Sequence, residues 1–234
     1  MKKTISVVIP AYNEEDRIHE TLIKLNKFIE TNNVFNFEVL VVNDGSKDKT
    51  SQKVNEFKQF NLIELEKNSG KGAAVRQGVL ASNGDYILFT DADFSTPITE
   101  IEKLISKIEN GYDIAIGSRA INSDLIKEHQ PFYRELMGKT FNKIVQFLVV
   151  KGIEDTQCGF KLFKSNVGKE IFSKSKINGY SFDVEIIYIA SKLNYKIAEV
   201  SVLWYNDDRS KVDPIKDSIK MFKEILKIKS LHKF

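Results

Sequence analysis

Two aspartates that stand two positions apart are the strongest chemical signal in the sequence. Asp91 and Asp93 directly follow the apolar run Tyr86-Ile87-Leu88-Phe89. Alternate residues at the end of a strand can aim both carboxylates at one point, where their like charges repel. A hard cation offsets that repulsion, and Mg²⁺ in particular is usually held by one or two carboxylates, water and substrate phosphates. Although Asp-x-Asp also recurs by chance, the pair predicts a site for Mg²⁺ or Mn²⁺ with Asp91 and Asp93 as its ligands.

Polar loops follow the other predicted strands as well. In open α/β sheets, ligands bind beyond the carboxyl ends of the strands, so these loops should converge on one edge. They are Pro10-Ala11-Tyr12-Asn13-Glu14-Glu15, Asn43-Asp44-Gly45-Ser46, Asn68-Ser69-Gly70-Lys71-Gly72 and Gly117-Ser118-Arg119. The second loop is also an ordinary turn composition. The third is either a tight turn into a helix or a phosphate site, where backbone N–H groups and a lysine meet.

Strand and helix patterns alternate through the first half of the chain. Apolar runs predict strands at Ile5–Ile9, Phe37–Val42, Asn61–Leu65, Tyr86–Thr90 and Asp113–Gly117, with helical spacing between them. This alternation predicts an α/β fold with a mostly parallel central sheet flanked by helices. In the second half we predict a strand at 197–205 and helices at about 132–150, at about 181–193 and from Pro214 to the end.

The composition limits the classes of protein to which this chain can belong. Hydrophobic residues make up 42% of the 234 residues, and the net charge of +3 gives no reason to expect a nucleic-acid partner. The single cysteine, Cys158, cannot form an internal disulfide, and we interpret it as a packed thiol. Because no apolar run approaches the roughly 18 residues of a membrane span, we expect a cytoplasmic protein that at most touches the cytoplasmic face of a membrane.

Six motifs, in order from about Ile5 to Lys211, carry a family resemblance. They are PAYNEE (10–15), VVNDGS (41–46), NSGKGAAVRQG (68–78), GDYILFTDAD (84–93), IGSR (116–119) and DTQCGFKLF (155–163). This set resembles the family 2 glycosyltransferases, and within them the branch of dolichyl-phosphate glucosyltransferases and dolichyl-phosphate mannose synthases. The resemblance implies a GT-A nucleotide-diphospho-sugar transferase fold. We expect a single catalytic domain over 1–210, with a nucleotide-sugar-binding half (1–119) and an acceptor half (120–210), followed by a basic amphipathic helix (211–234).

The resemblance also implies roles for individual residues. Five match the positions that hold the nucleoside: Pro10, Ala11, Tyr12, Glu14 and Asp44. Three match arginines that face phosphate groups in lipid-phosphate enzymes: Arg119, Arg134 and Arg209. Lys71 matches the region beside the diphosphate, Asp91 and Asp93 match the metal and diphosphate motif, and Asp155 matches an acidic residue near the acceptor. The mannose synthases carry an amide where this chain has Ser95, which argues against that subgroup, whereas the Asp-Thr-Gln-Cys-Gly-Phe string resembles the glucosyl subgroup.

The predicted activity is inverting transfer of a hexose to a lipid phosphate, with glucose from UDP-glucose as the favoured donor and polyprenyl or dolichyl phosphate as acceptor. Two alternatives stay open, namely a glycan hydroxyl acceptor in surface polysaccharide synthesis and a GDP-mannose-dependent polyprenyl-phosphate mannosyltransferase. A hydroxyl acceptor requires a general base, for which Asp155 is the candidate. A lipid phosphate, with a second pKa of about 6, is already ionised near pH 7 and requires arginines instead. The sequence leaves the oligomeric state open.

The C-terminal segment has two open interpretations. Ile219, Phe222, Ile225 and Leu226 recur at helical spacing, and six lysines stand between Pro214 and the end of the chain. A basic amphipathic helix of this kind can lie on an anionic membrane surface. It can equally dock its apolar face on the domain and expose its lysines to water.

Overall fold

The computed structural model describes residues 2–128, 132–207, 209 and 216–233. Within them, the strands are β1 Thr4–Ala11, β2 Asn36–Asn43, β3 Asn61–Glu64, β4 Tyr86–Thr90, β5 Ile114–Ser118, β6 Phe160–Lys164 and β7 Ile197–Ser201. The α-helices are α1 Ile18–Thr31, α2 Thr50–Val54, α3 Lys71–Ala81, α4 Ile101–Glu109, α5 Phe132–Leu148, α6 Ser165–Lys174, α7 Phe182–Lys192 and α8 Lys216–Leu231. Short 3₁₀ turns precede α4 at Ile98–Glu100 and follow β5 at Ser123–Leu125.

All of these strands join one sheet in the order β3-β2-β1-β4-β6-β5-β7. The neighbours pair in parallel except at β6, which runs antiparallel to both β4 and β5. The predicted α/β class with a mostly parallel sheet is therefore confirmed. The carboxyl ends of β1, β2, β4 and β5 lie at one edge, and the reversed strand β6 begins at that same edge.

Both faces of the sheet are covered, which explains the unbroken apolar runs of the inner strands. Val8 of β1 belongs to a core formed mainly with α3, α6, α7 and α8, whereas Val7 and Ile9 belong to a core formed with α1, α2 and α4. Helix α3 approaches the sheet closely at Gly78. An added Cβ there would lie 2.9 Å from Val42 Cγ2 and closer still to the side chain of Val8.

The strand β6 and the helix α6 are absent from the sequence prediction, which is wrong at this point. The strand reads Phe-Lys-Leu-Phe-Lys, and its Lys161 is buried with none of its surface exposed. A lysine inside a core strand breaks the apolar pattern by which buried strands are identified. The structure buries it because a carboxylate partner comes from α7, as described below.

The predicted helices of the second half are confirmed as α5, α7 and α8, while the predicted onset at Pro214 lies outside the described residues. One face of α8 is buried, with Met221, Ile225 and Ile228 at most 8% exposed. The opposite apolar residues stay exposed, Phe222 at 41% and Leu226 at 56%. In the described part of the chain, no helix combines the length and apolarity that crossing a bilayer requires.

Candidate active site

Asp91 meets a lysine at the sheet edge where β4 ends. Lys71, the first residue of α3, places its Nζ 2.6 Å from Asp91 Oδ1. Burial opposes a charge on Lys71, but the attraction of nearby carboxylates, Asp91 first among them, raises the pKa of Lys71 above its ordinary value. The lysine is therefore cationic at neutral pH, beside one of the two predicted metal ligands.

Gly159, the residue before β6, packs closely against the Asp91 carboxylate. The Asp91 N–H donates to the carbonyl of Gly159 at 3.1 Å. An added Cβ at Gly159 would lie 2.8 Å from Asp91 Oδ1 and closer still to Oδ2. The glycine of the DTQCGFKLF motif thus leaves just enough room for the carboxylate.

Asp93 lies in a more enclosed position than Asp91. Its Oδ1 accepts a hydrogen bond from the Ser95 N–H at 2.9 Å. Burial, together with the charge of Asp91, raises the pKa of Asp93. Two carboxylates that repel each other in an enclosed space are a donor set that suits Mg²⁺ or Mn²⁺. Among the described residues, no group of three or more His, Cys, Asp or Glu side chains is arranged to hold a metal ion.

Arg17, at the start of α1, is a site residue that the sequence analysis missed. Its Nε and Nη2 both donate to the Glu14 carboxylate, Nη2 at 2.9 Å. Its Nη1 lies 3.4 Å from Asp207 Oδ2 and 3.8 Å from Asp93 Oδ2. Although burial opposes its charge, the bond to Glu14 and the neighbouring aspartates raise the pKa of Arg17. The i, i+3 spacing of Glu14 and Arg17 at a helix start was a signal available in the sequence.

The five residues predicted to hold the nucleoside lie at the same edge. Pro10 and Ala11 end β1 and are buried, and Tyr12 follows them. Asp44 is buried and accepts hydrogen bonds from the N–H groups of Ser69, at 2.7 Å, and Gly70, at 2.8 Å. Asp44 therefore fixes the loop that leads into Lys71, while the carboxylate of Glu14 is occupied by Arg17. Their contacts to a nucleoside stay predictions.

Asp155 and Arg119 form a closed ion pair. Asp155 is 1% exposed and accepts from Arg119 Nε at 2.7 Å, from Nη2 at 2.9 Å and from its backbone N–H at 3.0 Å. Burial alone would raise the pKa of Asp155, but Arg119 lowers it below the ordinary value. The Arg119 guanidinium also lies 5.6 Å from the centre of the Trp204 ring. A carboxylate held in this way is a weak proton acceptor.

A second buried ion pair, also missed by sequence reasoning, lies behind Lys71. Lys161 Nζ contacts Asp183 of α7 and donates to the Cys158 carbonyl at 2.6 Å. The ring of Phe89 lies 5.5 Å from Lys71 Nζ and 5.7 Å from Lys161 Nζ. Burial, with a smaller effect of Asp155, raises the pKa of the Cys158 thiol to about 12, which fits its interpretation as a packed thiol.

The remaining predicted arginines have different surroundings. Arg209 binds Asp207 through Nε at 2.9 Å and Nη2 at 2.7 Å, and its Nη1 donates to the Asp16 carbonyl at 3.3 Å. Arg134 lies on α5, and its side chain is outside the described structure, as is Lys211. The structure thus brings Arg209 to the cleft that contains Asp93, and leaves the place of the Arg134 side chain a prediction.

Comparison with known proteins identifies the family. Residues 6–172 match the family model of Glycosyl transferase family 2. The chain is 41% identical to a dolichyl-phosphate beta-glucosyltransferase of Dictyostelium discoideum, over 96% of this chain and 73% of the relative. It is 39% identical to the human protein of the same name, over 97% of this chain and 75% of the relative.

Solved structures share the fold at much lower sequence identity. Glucosyl-3-phosphoglycerate synthase from Mycobacterium tuberculosis superposes with a TM-score of 0.76 at 18% identity, covering 99% of this chain and 81% of that chain. The same enzyme has been crystallised with Mn²⁺, UDP-glucose and phosphoglyceric acid. Mannosyl-3-phosphoglycerate synthase from Rubrobacter xylanophilus gives a TM-score of 0.72 at 16% identity, covering 97% of this chain and 73% of that chain. The predicted GT-A fold is confirmed.

Proposed function

Because this chain belongs to glycosyl transferase family 2, we propose that it transfers glucose from UDP-glucose, with inversion, to a polyprenyl or dolichyl phosphate. Relatives that are 39% and 41% identical over nearly the whole chain carry the name dolichyl-phosphate beta-glucosyltransferase, which supports both the sugar and the acceptor class. The DTQCGF string and Ser95 favour the same subgroup over the mannose synthases.

The state of Asp155 is the observation that carries the choice of acceptor. A sugar hydroxyl must lose a proton as it attacks, and efficient general bases have a pKa near the working pH. Asp155 has a lowered pKa and three hydrogen bonds from Arg119, so it is poorly suited to that task. A lipid phosphate brings its own negative oxygen and requires no base. The Asp155–Arg119 pair therefore favours a phosphate acceptor, with Asp155 orienting Arg119.

The donor side of the site is equipped to stabilise a leaving diphosphate. Asp91 and Asp93 would hold Mg²⁺ or Mn²⁺, which when bound supplies positive charge to the diphosphate. Lys71 adds a fixed ammonium group beside Asp91. Positive groups placed in advance where charge develops lower the barrier without a further reorganisation of the protein.

We further propose that α8 contacts the membrane in which the lipid acceptor resides. The helix buries Met221 and Ile225 in the domain, and still exposes Phe222 and Leu226 among its lysines. A surface with apolar side chains and basic residues suits the interface of an anionic bilayer. In this proposal one face of α8 docks on the domain, and the opposite face contacts the membrane. Peripheral association would bring the acceptor phosphate within reach of the sheet edge.

The deciding experiment measures lipid-linked hexose formed from UDP-glucose or GDP-mannose with a short polyprenyl phosphate and Mn²⁺ or Mg²⁺. We expect product from UDP-glucose, its loss in Asp93→Ala, and normal turnover in Glu102→Ala, an exposed carboxylate on α4 that serves as the matched control. Product only from GDP-mannose would correct the donor. Donor binding without any lipid-linked product would refute the acceptor, and glycan hydroxyls would then be tested with Asp155→Asn.

A further inference from the structure

Arg17 has one buried guanidinium nitrogen to which the described residues give no hydrogen bond. The residue is 9% exposed, and two of its three guanidinium nitrogens are fixed by Glu14. The third, Nη1, is buried and makes no hydrogen bond to any residue that the structure describes, although it lies 3.4 Å from Asp207 Oδ2. A buried donor without an acceptor is costly and uncommon in folded proteins, and it calls for an explanation such as a ligand. Because Glu14 fixes the guanidinium plane, the direction of the free N–H groups is fixed as well.

Arg17 lines a cleft next to Asp93. The cleft has a volume of about 610 Å³ and lies between the start of α1, residues 93–95 and 97–99, and the segment of residues 205–207 with 209. The segment is tied across the sheet edge, since the Tyr205 N–H donates to the Ser95 carbonyl at 2.8 Å. Asp93 Oδ2 lies 3.8 Å from Arg17 Nη1. A ligand group held by Arg17 would therefore lie beside the predicted diphosphate site, where an attacking oxygen has to be.

A carboxylate occupies the position between two arginines in this cleft. Asp207 lies 3.4 Å from Arg17 Nη1 and also accepts hydrogen bonds from Arg209 Nε at 2.9 Å and Nη2 at 2.7 Å. The planar fork of an arginine binds a phosphate as well as a carboxylate, so two guanidinium groups that converge on one anion also suit a phosphate. Arg119 is held by Asp155 through the same two nitrogens, Nε and Nη2, by which Glu14 holds Arg17.

We propose that the phosphate of the acceptor binds between Arg17 and Arg209, in place of the Asp207 carboxylate and next to Asp93. This assignment rests on the proposed function and adds an acceptor-binding residue, Arg17, that none of the sequence motifs indicated. A phosphomonoester carries about 1.5 to 2 negative charges at neutral pH, more than the single charge of the carboxylate it would replace. The repulsion from Asp93 is weaker when that carboxylate shares its charge with a divalent cation.

The test measures the affinity of the full chain for farnesyl phosphate by calorimetry, in the presence of UDP and Mn²⁺. We expect Arg17→Met to weaken binding about tenfold or more, because a charge-assisted hydrogen bond is lost. Asp207→Asn should strengthen binding several-fold, since it removes the competing charge, an effect that a merely structural role would not produce. Lys24→Met, which removes a cation from the rim of the same cleft, is the matched control and should stay within about twofold.

Arg17→Lys keeps the positive charge opposite Glu14. It replaces Arg17→Met in the binding test if Arg17→Met lacks a cooperative thermal transition and is therefore not folded. Unchanged farnesyl phosphate affinity in a folded Arg17→Lys variant with normal UDP binding would overturn the assignment. Inorganic phosphate is the second probe, and we expect it to bind more weakly than farnesyl phosphate and with the same dependence on Arg17. Tighter binding of inorganic phosphate would refute a lipid headgroup as the ligand.

The outcome separates this assignment from the proposed function. Binding of farnesyl phosphate that depends on Arg17, without hexose transfer by the wild-type protein, would overturn the function and support the site. Hexose transfer that is equally efficient in the wild type and in Arg17→Lys would support the function and overturn the site.

Discussion

Replacing Gly159 by alanine should disable the site while leaving the fold intact. The new Cβ would lie 2.8 Å from Asp91 Oδ1 and closer still to Oδ2. An ordinary carbon–oxygen contact is about 3.4 Å or longer, so Asp91 Oδ2 would have to move away by more than about 1 Å. The conflict involves the end of a side chain and not the backbone of a neighbouring strand, so rotation of Asp91 can relieve it.

The substitution Gly159→Ala should lower the catalytic rate more than the stability. A displacement of about 1 Å in a catalytic group can lower the rate about 100-fold. We therefore expect kcat/KM for UDP-glucose to fall by roughly that factor in Gly159→Ala, with weaker binding of UDP in the presence of Mn²⁺. The thermal midpoint should change by only a few degrees, in keeping with a local rearrangement.

Gly138→Ala is the matched control, because an added Cβ at this α5 position meets nothing within 4 Å. It should leave activity unchanged and stabilise the helix by up to about 1 kcal/mol, the difference in helix propensity between glycine and alanine. Wild-type kcat/KM and UDP affinity in Gly159→Ala would contradict this role of Gly159. Loss of the cooperative transition would show that Gly159 is needed for folding instead.

Three further predictions concern the core and the surface. Lys161→Met should destabilise the protein by about 3–5 kcal/mol in urea unfolding, because it leaves the buried Asp183 carboxylate unpaired. The Cys158 thiol, with its pKa raised to about 12, stays protonated at pH 8. A thiol reagent should therefore label Cys158 only after the protein is unfolded, with one label per chain. Phe222→Ser should reduce co-sedimentation with anionic lipid vesicles several-fold relative to Val34→Ser, an exposed apolar control at 66%.

Each of these three has an outcome that contradicts it. The double variant Lys161→Met with Asp183→Leu should recover much of the lost stability, and equal destabilisation of single and double variants would deny the role of the ion pair. Rapid labelling of Cys158 in the folded protein would contradict its burial. Equal vesicle binding by Phe222→Ser and Val34→Ser would remove α8 from the proposed membrane surface.

The sequence predicted those parts of the fold that depend on local periodicity. The continuous apolar runs became β1, β2 and β4, because strands covered on both faces need no polar side. The polar residues after these strands met at one edge, as the parallel order requires. The position of Asp91 and Asp93 at the end of β4 therefore follows from the sequence pattern alone.

The parts that were missed depend on contacts between distant residues. No pattern near Lys161 in the sequence indicates that Asp183, 22 positions later, pairs with it inside the core. The hydrogen bonds that Asp44 accepts from the N–H groups of Ser69 and Gly70 likewise depend on how two loops meet. Arg17 was missed for the same reason. It lies beside the first motif, but only the approach of Asp207 from the other end of the chain shows that its third nitrogen faces a cleft.

The position of β6 has a consequence for how the protein can be divided. This strand comes from the second half of the chain and is hydrogen-bonded between β4 and β5 of the first half. A fragment that ends after β5 would lack the strand that joins its two parts, so it should not fold as an independent donor-binding module. Exchanging residues 120–210 between relatives would also exchange Gly159, which lies against Asp91 of the first half. We therefore expect such a chimera to change the position of Asp91 as well.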